Sequence, residues 1–210
     1  MPESIKATKS SDTVSWSRHG DVAIAIVTID NTPINAVFDS VRDGLAQALK
    51  TLEADADVHA IVLCCAGTTF IAGVDIKKTQ QSKQAFSYKA ALDAMDALTK
   101  PLIAVLHGTA LGAGMETALT CHYRIAAPSA KFGLPEVDLG IIPAAGGTQR
   151  LPRLIGLKAA LDMIISGRPV NAQAALASGL IDRIAEGDLL ESALAFAREL
   201  IASGASVRRL

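Results

Sequence analysis

Glu116 and Glu136 are carboxylates set among apolar residues. Glu116 follows Gly112-Ala113-Gly114-Met115 and precedes Ala118 and Leu119; Glu136 stands directly behind Pro135 in Phe132-Gly133-Leu134-Pro135-Glu136. Apolar surroundings raise a carboxyl group's proton affinity, which is what a general acid or base needs near neutral pH. The glycine-spaced turn at Gly112-Ala113-Gly114 opens a short helix, and its free backbone N–H groups suit a carbonyl oxygen or a phosphate equally. A second N–H-rich turn occurs earlier, in Phe70-Ile71-Ala72-Gly73-Val74-Asp75-Ile76-Lys77. Gly73 lets the backbone turn tightly, so that the N–H of Val74 can face a ligand. Asp75 and Lys77 follow where oriented N–H groups favour an anion. Two acids beside such turns suit acid–base chemistry on a carbonyl compound.

Taken singly, each motif also has a plainer reading. Asp75 and Lys77 make a solvated pair in an ordinary loop, Glu136 an exposed loop acid, and Glu116 a surface residue of its helix. The stretch 140–150 is apolar and glycine-rich and packs, with Thr148 available as a helix cap. A dinucleotide fingerprint fails because its third glycine would fall at Thr117 and the next strand ends without an acid. A phosphate-binding Walker loop fails for want of Gly-Lys-Ser/Thr. The four histidines share no ligand spacing and no G-x-S-x-G serine accompanies them, so no metal site and no serine triad is expected.

The elements that must carry these residues read as α/β. The core is aliphatic, with 50% hydrophobic but only 4% aromatic residues, and the 210-residue length suits one core. A net charge of −1 with interspersed signs argues against nucleic acid as the main partner. Cys64, Cys65 and Cys121 form neither a disulfide framework nor a ligand pattern, which points to a reducing compartment and a cytoplasmic location. No signal peptide and no membrane span is read. Residues 1–12 are a polar tail and 13–210 one domain. Strands are expected at 14–18 and 22–29 (a hairpin), 60–65, 102–106, 123–127 and 180–184. Helices are expected after an N-cap at Asp39 or Ser40, and at 84–98, 147–154, 157–165, 172–177 and 189–201. Residues 30–36 form a loop.

The order of the motifs says more than any one of them. Phe70-x-Ala72-Gly73-x-Asp75-Ile76-Lys77, then Gly112-Ala113-Gly114-x-Glu116, then Phe132-Gly133-x-Pro135-Glu136, then Pro143-x-x-Gly146-Gly147-Thr148-Gln149-Arg150-Leu151 resembles the enoyl-CoA hydratase/isomerase (crotonase) family over residues 14–202. The resemblance implies a spiral of β-β-α turns with a helical C-terminal part. It puts the backbone N–H groups of Val74 and Ala113 in the two oxyanion-hole positions. It places Ala36, Ala72, Gly73, Asp75, Ile76, Lys77 and Gly112 along the CoA and acyl site, and Glu116 and Glu136 at the two carboxylates of true hydratases. The implied reaction is syn addition of water to a 2-trans-enoyl-CoA, giving 3-hydroxyacyl-CoA in fatty acid β-oxidation. Its alternatives are Δ3,Δ2-enoyl-CoA isomerisation and, from another class, a non-catalytic acyl-CoA-binding domain. No cofactor is implied beyond the coenzyme A of the substrate. Implied partners are copies of the chain, in a trimer or hexamer, or further domains of a multifunctional β-oxidation protein.

The chain departs from the family at two points. The second oxyanion position is usually glycine; Ala113 keeps the N–H, but its Cβ narrows the pocket and the allowed φ. The family also continues past the last helix with a segment that covers the acyl pocket and helps build trimers, and these residues stop before it.

Overall fold

The computed structural model describes residues 7–20, 24–73 and 87–210. Eleven strands fall in two sheets among the described residues. The larger contains β1 (Thr8–Lys9), β2 (Val14–His19), β3 (Ile24–Ile29), β4 (Ala60–Cys65), β6 (Leu102–Leu106), β8 (Tyr123–Ala126) and β11 (Arg183–Ile184), in the order β1-β2-β3-β4-β6-β8-β11. From β3 onward its neighbours are parallel, while β2 pairs antiparallel with both β1 and β3. The smaller sheet runs β10 (Val170–Asn171), β9 (Lys131–Gly133), β7 (Thr109–Leu111) and β5 (Ile71–Ala72), parallel except at β10.

The parallel strands are almost wholly apolar because both of their faces are covered. On one face Val27, Ile29, Ile61, Leu63, Leu102, Ala104 and Leu106 join the core with helices α1 (Asp39–Ala54), α2 (Ser87–Asp96) and α3 (Ala113–Thr120). On the other face Ile24, Val62, Ile103, Val105, Tyr123 and Ile125 pack beneath α7 (Leu189–Ala202) through Ala193, Leu194, Phe196, Ala197 and Leu200. This two-residue alternation is the strand period. Three times the chain steps from the large sheet to the small one and on to a helix: β4–β5–α2, β6–β7–α3, and β8–β9 to a 3-10 helix at Pro135–Leu139. That repetition is the β-β-α spiral. Helices α4 (Gly147–Ile155), α5 (Leu157–Ser166), α6 (Ala172–Ala177) and α7 make the C-terminal part helical, as expected.

Several local details differ from the sequence reading. Phe38, not Asp39 or Ser40, is the N-cap of α1, and it caps without a side-chain bond. Asp39 is instead the first helical residue, where a carboxylate favours the N-terminal dipole. Gly146 rather than Thr148 precedes α4. The described end of the polar tail is not free, since Thr8–Lys9 pairs with Trp16 and Ser15. Asn171 does cap α6, its Oδ1 accepting from the Ala174 N–H at 2.9 Å. No helix among the described residues is long and apolar enough to cross a membrane.

Candidate active site

Three adjacent parallel strands lay out the site. Ala72 is paired with Leu111, and Leu111 with Gly133, so β5, β7 and β9 end in step. The residues that follow them, Gly73, Gly112 and Leu134, leave one edge of the sheet at neighbouring strand spacings, roughly 4.8 Å apart. The carboxyl ends of parallel strands are where open α/β sheets bind ligands.

At the middle strand, Gly112 turns with φ +56° and its N–H donates to Gly133 O at 3.1 Å. Helix α3 starts at Ala113, whose N–H, as the first of the helix, has no intrahelical acceptor. At the next residue, Gly114 is packed so closely on β5 that a Cβ there would stand 1.9 Å from Ile71 O. At the outer strand, Gly73 turns with φ +94°. Val74, Asp75, Ile76 and Lys77, the rest of that motif, lie outside the described residues.

The Ala36 loop is stitched to the same turn. Ile34 O accepts from the Ala72 N–H at 3.0 Å, and the Val37 N–H donates to Gly73 O at 3.2 Å. The buried organiser of this loop is Asn35, which the sequence reading passed over. Its Nδ2 donates to Ala66 O and Thr69 O at 2.8 and 2.9 Å, while Oδ1 accepts from the Asn31 N–H at 2.8 Å. It holds φ +50°, a conformation that asparagine tolerates better than most residues. An asparagine in a turn directly before the motif residue Ala36 was the available signal.

Glu116 lies in the first turn of α3, 3% exposed, so the surface reading of this residue does not hold. Its Oε1 accepts two backbone hydrogen bonds, from Ala145 at 2.7 Å and from Gly147 at 2.8 Å. Burial raises its proton affinity, while the Gly147 and Ala145 N–H groups and the charge of Arg150 oppose that rise. The glycine-rich stretch 140–150 therefore does more than pack: it delivers the donors that hold this carboxylate. Nothing in residue type marked those two N–H groups, because any residue supplies one.

Glu136 is in the first turn of the 3-10 helix and 8% exposed, which overturns the reading of an exposed loop acid. Its Oε1 faces Gly112, where a Cβ would stand 3.3 Å away. Its Oε2 is buried without a hydrogen-bond partner among the described residues. Burial, joined by the charge of Glu116 and opposed by its own backbone N–H, pushes its pKa up to about 7. The two acids thus differ in kind. One is anchored by two N–H dipoles from the 145–147 turn; the other has an oxygen, Oε2, buried without a partner among the described residues.

Other polar groups have supporting parts. The Thr117 hydroxyl donates to Ala113 O at 2.6 Å and is hydrogen-bonded to the Tyr88 hydroxyl, which ties α2 to α3 beside Glu116. His122 is structural, as read: its Nδ1 accepts from the Leu102 N–H at 3.0 Å.

Comparison with known proteins places the chain among related sequences and structures. The family described as enoyl-CoA hydratase/isomerase matches residues 19–210. A Danio rerio protein named "Peroxisomal bifunctional enzyme" is 45% identical over 188 residues, which are 90% of this chain but 26% of that protein. The chain thus spans about a quarter of the length of such relatives. A Bacillus subtilis (strain 168) protein named "Probable enoyl-CoA hydratase" is 41% identical over 186 residues, 84% of this chain and 72% of that one. The crystal structure of an enoyl-CoA hydratase from Bacillus anthracis superposes with a TM-score of 0.85 at 34% identity, covering 91% of this chain and 77% of the other. On the extent of these matches, the chain belongs to the enoyl-CoA hydratase/isomerase, or crotonase, family.

Proposed function

We propose that this chain hydrates a 2-trans-enoyl-CoA thioester to the 3-hydroxyacyl-CoA. The observation that carries the reading is the unlike pair of buried carboxyls flanking the Gly112-Ala113 turn. Glu116, with two N–H donors on one oxygen, is suited to rest ionised. Glu136, with its Oε2 unpartnered among the described residues and its pKa raised to about 7, is suited to rest protonated. Separating the proton affinities of two acids in this way is how one site supplies both a base and an acid.

Water adds to the β-carbon of an enoyl thioester only if the enolate that develops is stabilised. The Ala113 N–H supplies one donor to the thioester oxygen, and the family resemblance assigns the second to Val74. One donor of this type contributes roughly 3 kcal/mol to transition-state stabilisation. Glu116 takes a proton from the water as its oxygen bonds to C3. The electron pair of the double bond moves to C2 and the thioester oxygen, and C2 then takes the proton of Glu136. The two carboxyls have exchanged protonation states, and transfer through solvent restores them. Both groups act from the same side, hence syn addition.

The Ala36 loop, tied to the Gly73 turn on both sides, is proposed to hold the CoA portion together with Ala72, Asp75, Ile76 and Lys77. A place within a larger multifunctional β-oxidation chain is the assembly we infer from the relatives' names, or a homo-oligomer as the family resemblance implies, in a compartment that keeps the three thiols reduced. No group besides the substrate's own coenzyme A is invoked. The test is turnover of 2-butenoyl-CoA against 3-hexenoyl-CoA. Hydration of the first, faster than isomerisation of the second, is expected. Faster isomerisation would make the acid pair a C2-to-C4 proton shuttle, and binding without turnover of either would leave an acyl-CoA-binding domain.

A further inference from the structure

Glu116 is held by a turn that is itself held. The Ala145 and Gly147 N–H groups on its Oε1 come from a turn whose N-cap residue, Gly146, offers no side chain. Arg150, on the first turn of α4, reaches back over it. Its Nη1 donates to Ala145 O at 3.1 Å, and its Nη2 is ion-paired with Asp96, the last residue of α2. The guanidinium occupies the space a side chain at 146 would need: a Cβ there would stand 2.0 Å from Nη1. Asp96 is fixed in turn by Arg209, whose Nε donates to Asp96 O at 2.8 Å and Nη2 to Leu98 O at 3.1 Å.

We propose that the Asp96–Arg150 ion pair is a positioning device for the general base. It clamps the 145–147 turn so that both N–H groups converge on Glu116 Oε1, leaving Oε2 to take the proton of the water. The inference rests on the reading of Glu116 as that base. The fork geometry of guanidinium suits the task, since one side chain bonds a carboxylate and a carbonyl in fixed directions, which an ammonium does not. An ion pair that only joined α2 to α4 would have no need of the bond to Ala145 O. The pair is also shielded, with side-chain exposures of 11% for Arg150 and 31% for Asp96. Among the described residues, the charge of Arg150 behind the turn favours ionised Glu116, and the charge of Glu116 in turn raises the proton affinity of Glu136; the neutral Tyr88 hydroxyl lies on the adjacent Thr117.

The experiment uses the full chain with Asp96→Asn, which keeps an acceptor, and Arg150→Lys, which keeps the charge but not the fork. Amide exchange at Ala145 and Gly147 tests the clamp without any reaction, and faster exchange in both variants is expected. In 2-butenoyl-CoA hydration, kcat should fall about 10- to 100-fold, the cost of misplacing a reacting group by around 1 Å. KM should stay within about twofold, and the acidic limb of the pH profile should move to higher pH as Glu116 loses its donors. Parent-like exchange at 145 and 147 would overturn the proposal. So would a loss of kcat that tracks a lowered Tm while the acidic limb stays in place. A parent chain that binds enoyl-CoA without turnover would count against the hydratase reading, while the exchange result would still decide the clamp.

Discussion

Gly73 and Gly112 occupy equivalent places on adjacent parallel strands. Each follows the last paired residue of its strand, Ala72 or Leu111, and each turns with positive φ. The two motifs that looked like separate glycine loops in the sequence are therefore one structure, with β7 bringing the second alongside the first. Gly114 completes it by letting the start of α3 lie directly on β5.

Gly114→Ala tests that closeness. A Cβ 1.9 Å from Ile71 O cannot be accommodated unless α3 and β5 separate. We expect a loss of at least about 1–3 kcal/mol, in the range of overpacked cores, together with a fall in kcat. Urea denaturation with matched kinetics checks both. An unchanged midpoint would mean that the two elements are not held in contact.

The pH profile tests the assignment of the acid. Glu136 must carry a proton to deliver it, and its pKa is raised to about 7. Accordingly kcat/KM, which reports groups of the free enzyme, should decline as pH rises through about 7. On the acid side it should decline as Glu116 becomes protonated. A profile flat from pH 6 to 9 would remove Glu136 from the role of proton donor.

Much of this arrangement was legible in the chain, and what was not has identifiable causes. The strands at 60–65 and 102–106 are where uninterrupted apolar runs put them, because a strand buried on both faces needs nothing else. Glu116 and Glu136 stood out because acids are rare among apolar neighbours. The grip on Glu116 by Ala145 and Gly147 was not legible, since a backbone donor leaves no trace in residue type. Asn35 was passed over because its partners, Ala66 and Thr69, lie some thirty residues on and meet it only after β3 and β4 pair. Phe38 takes the N-cap of α1 in place of the polar candidates, without a side-chain hydrogen bond, so the residue-type rule for caps did not find it.

His122 should contribute to acid sensitivity. Burial lowers its pKa to about 4, and its Nδ1 must stay unprotonated to accept from Leu102. The unfolded chain takes up this proton near the ordinary histidine pKa of 6.5, while the folded chain resists until about 4. The stabilisation is thus complete above pH 6.5 and is lost progressively as pH falls from there toward 4. His122→Asn keeps an acceptor for the Leu102 N–H and does not titrate. The parent should lose more stability than this variant between pH 7 and 5 in urea titrations; equal losses would contradict the account.

Lys77 carries the expectation for the CoA portion, through its place in the motif. Lys77→Ala should raise KM for enoyl-CoA roughly tenfold, as for one lost charge-assisted hydrogen bond, and lower kcat much less. Because only ground-state binding is removed, a split in the opposite sense, with kcat reduced and KM unchanged, would argue that Lys77 does not contact the CoA portion.

The central claim is that Glu116 and Glu136 act as one unit, base and acid on a single addition. The most direct measurement is kcat for 2-butenoyl-CoA hydration by Glu116→Gln, Glu136→Gln and the double variant, with binding of a saturated butyryl-CoA measured alongside. Glutamine keeps the size of each side chain, and at 116 an oxygen that can accept from Ala145 and Gly147, but cannot exchange the proton. Each single change should lower kcat about 10²–10⁴-fold. The double variant should lose far less than the product of the two, because a pair that works together is disabled by either loss. Butyryl-CoA affinity should survive in all three, since the proposed hold on its carbonyl is by backbone donors. A Glu136→Gln protein that hydrates the substrate at near the parent rate, or singles whose losses simply multiply in the double, would contradict the paired mechanism.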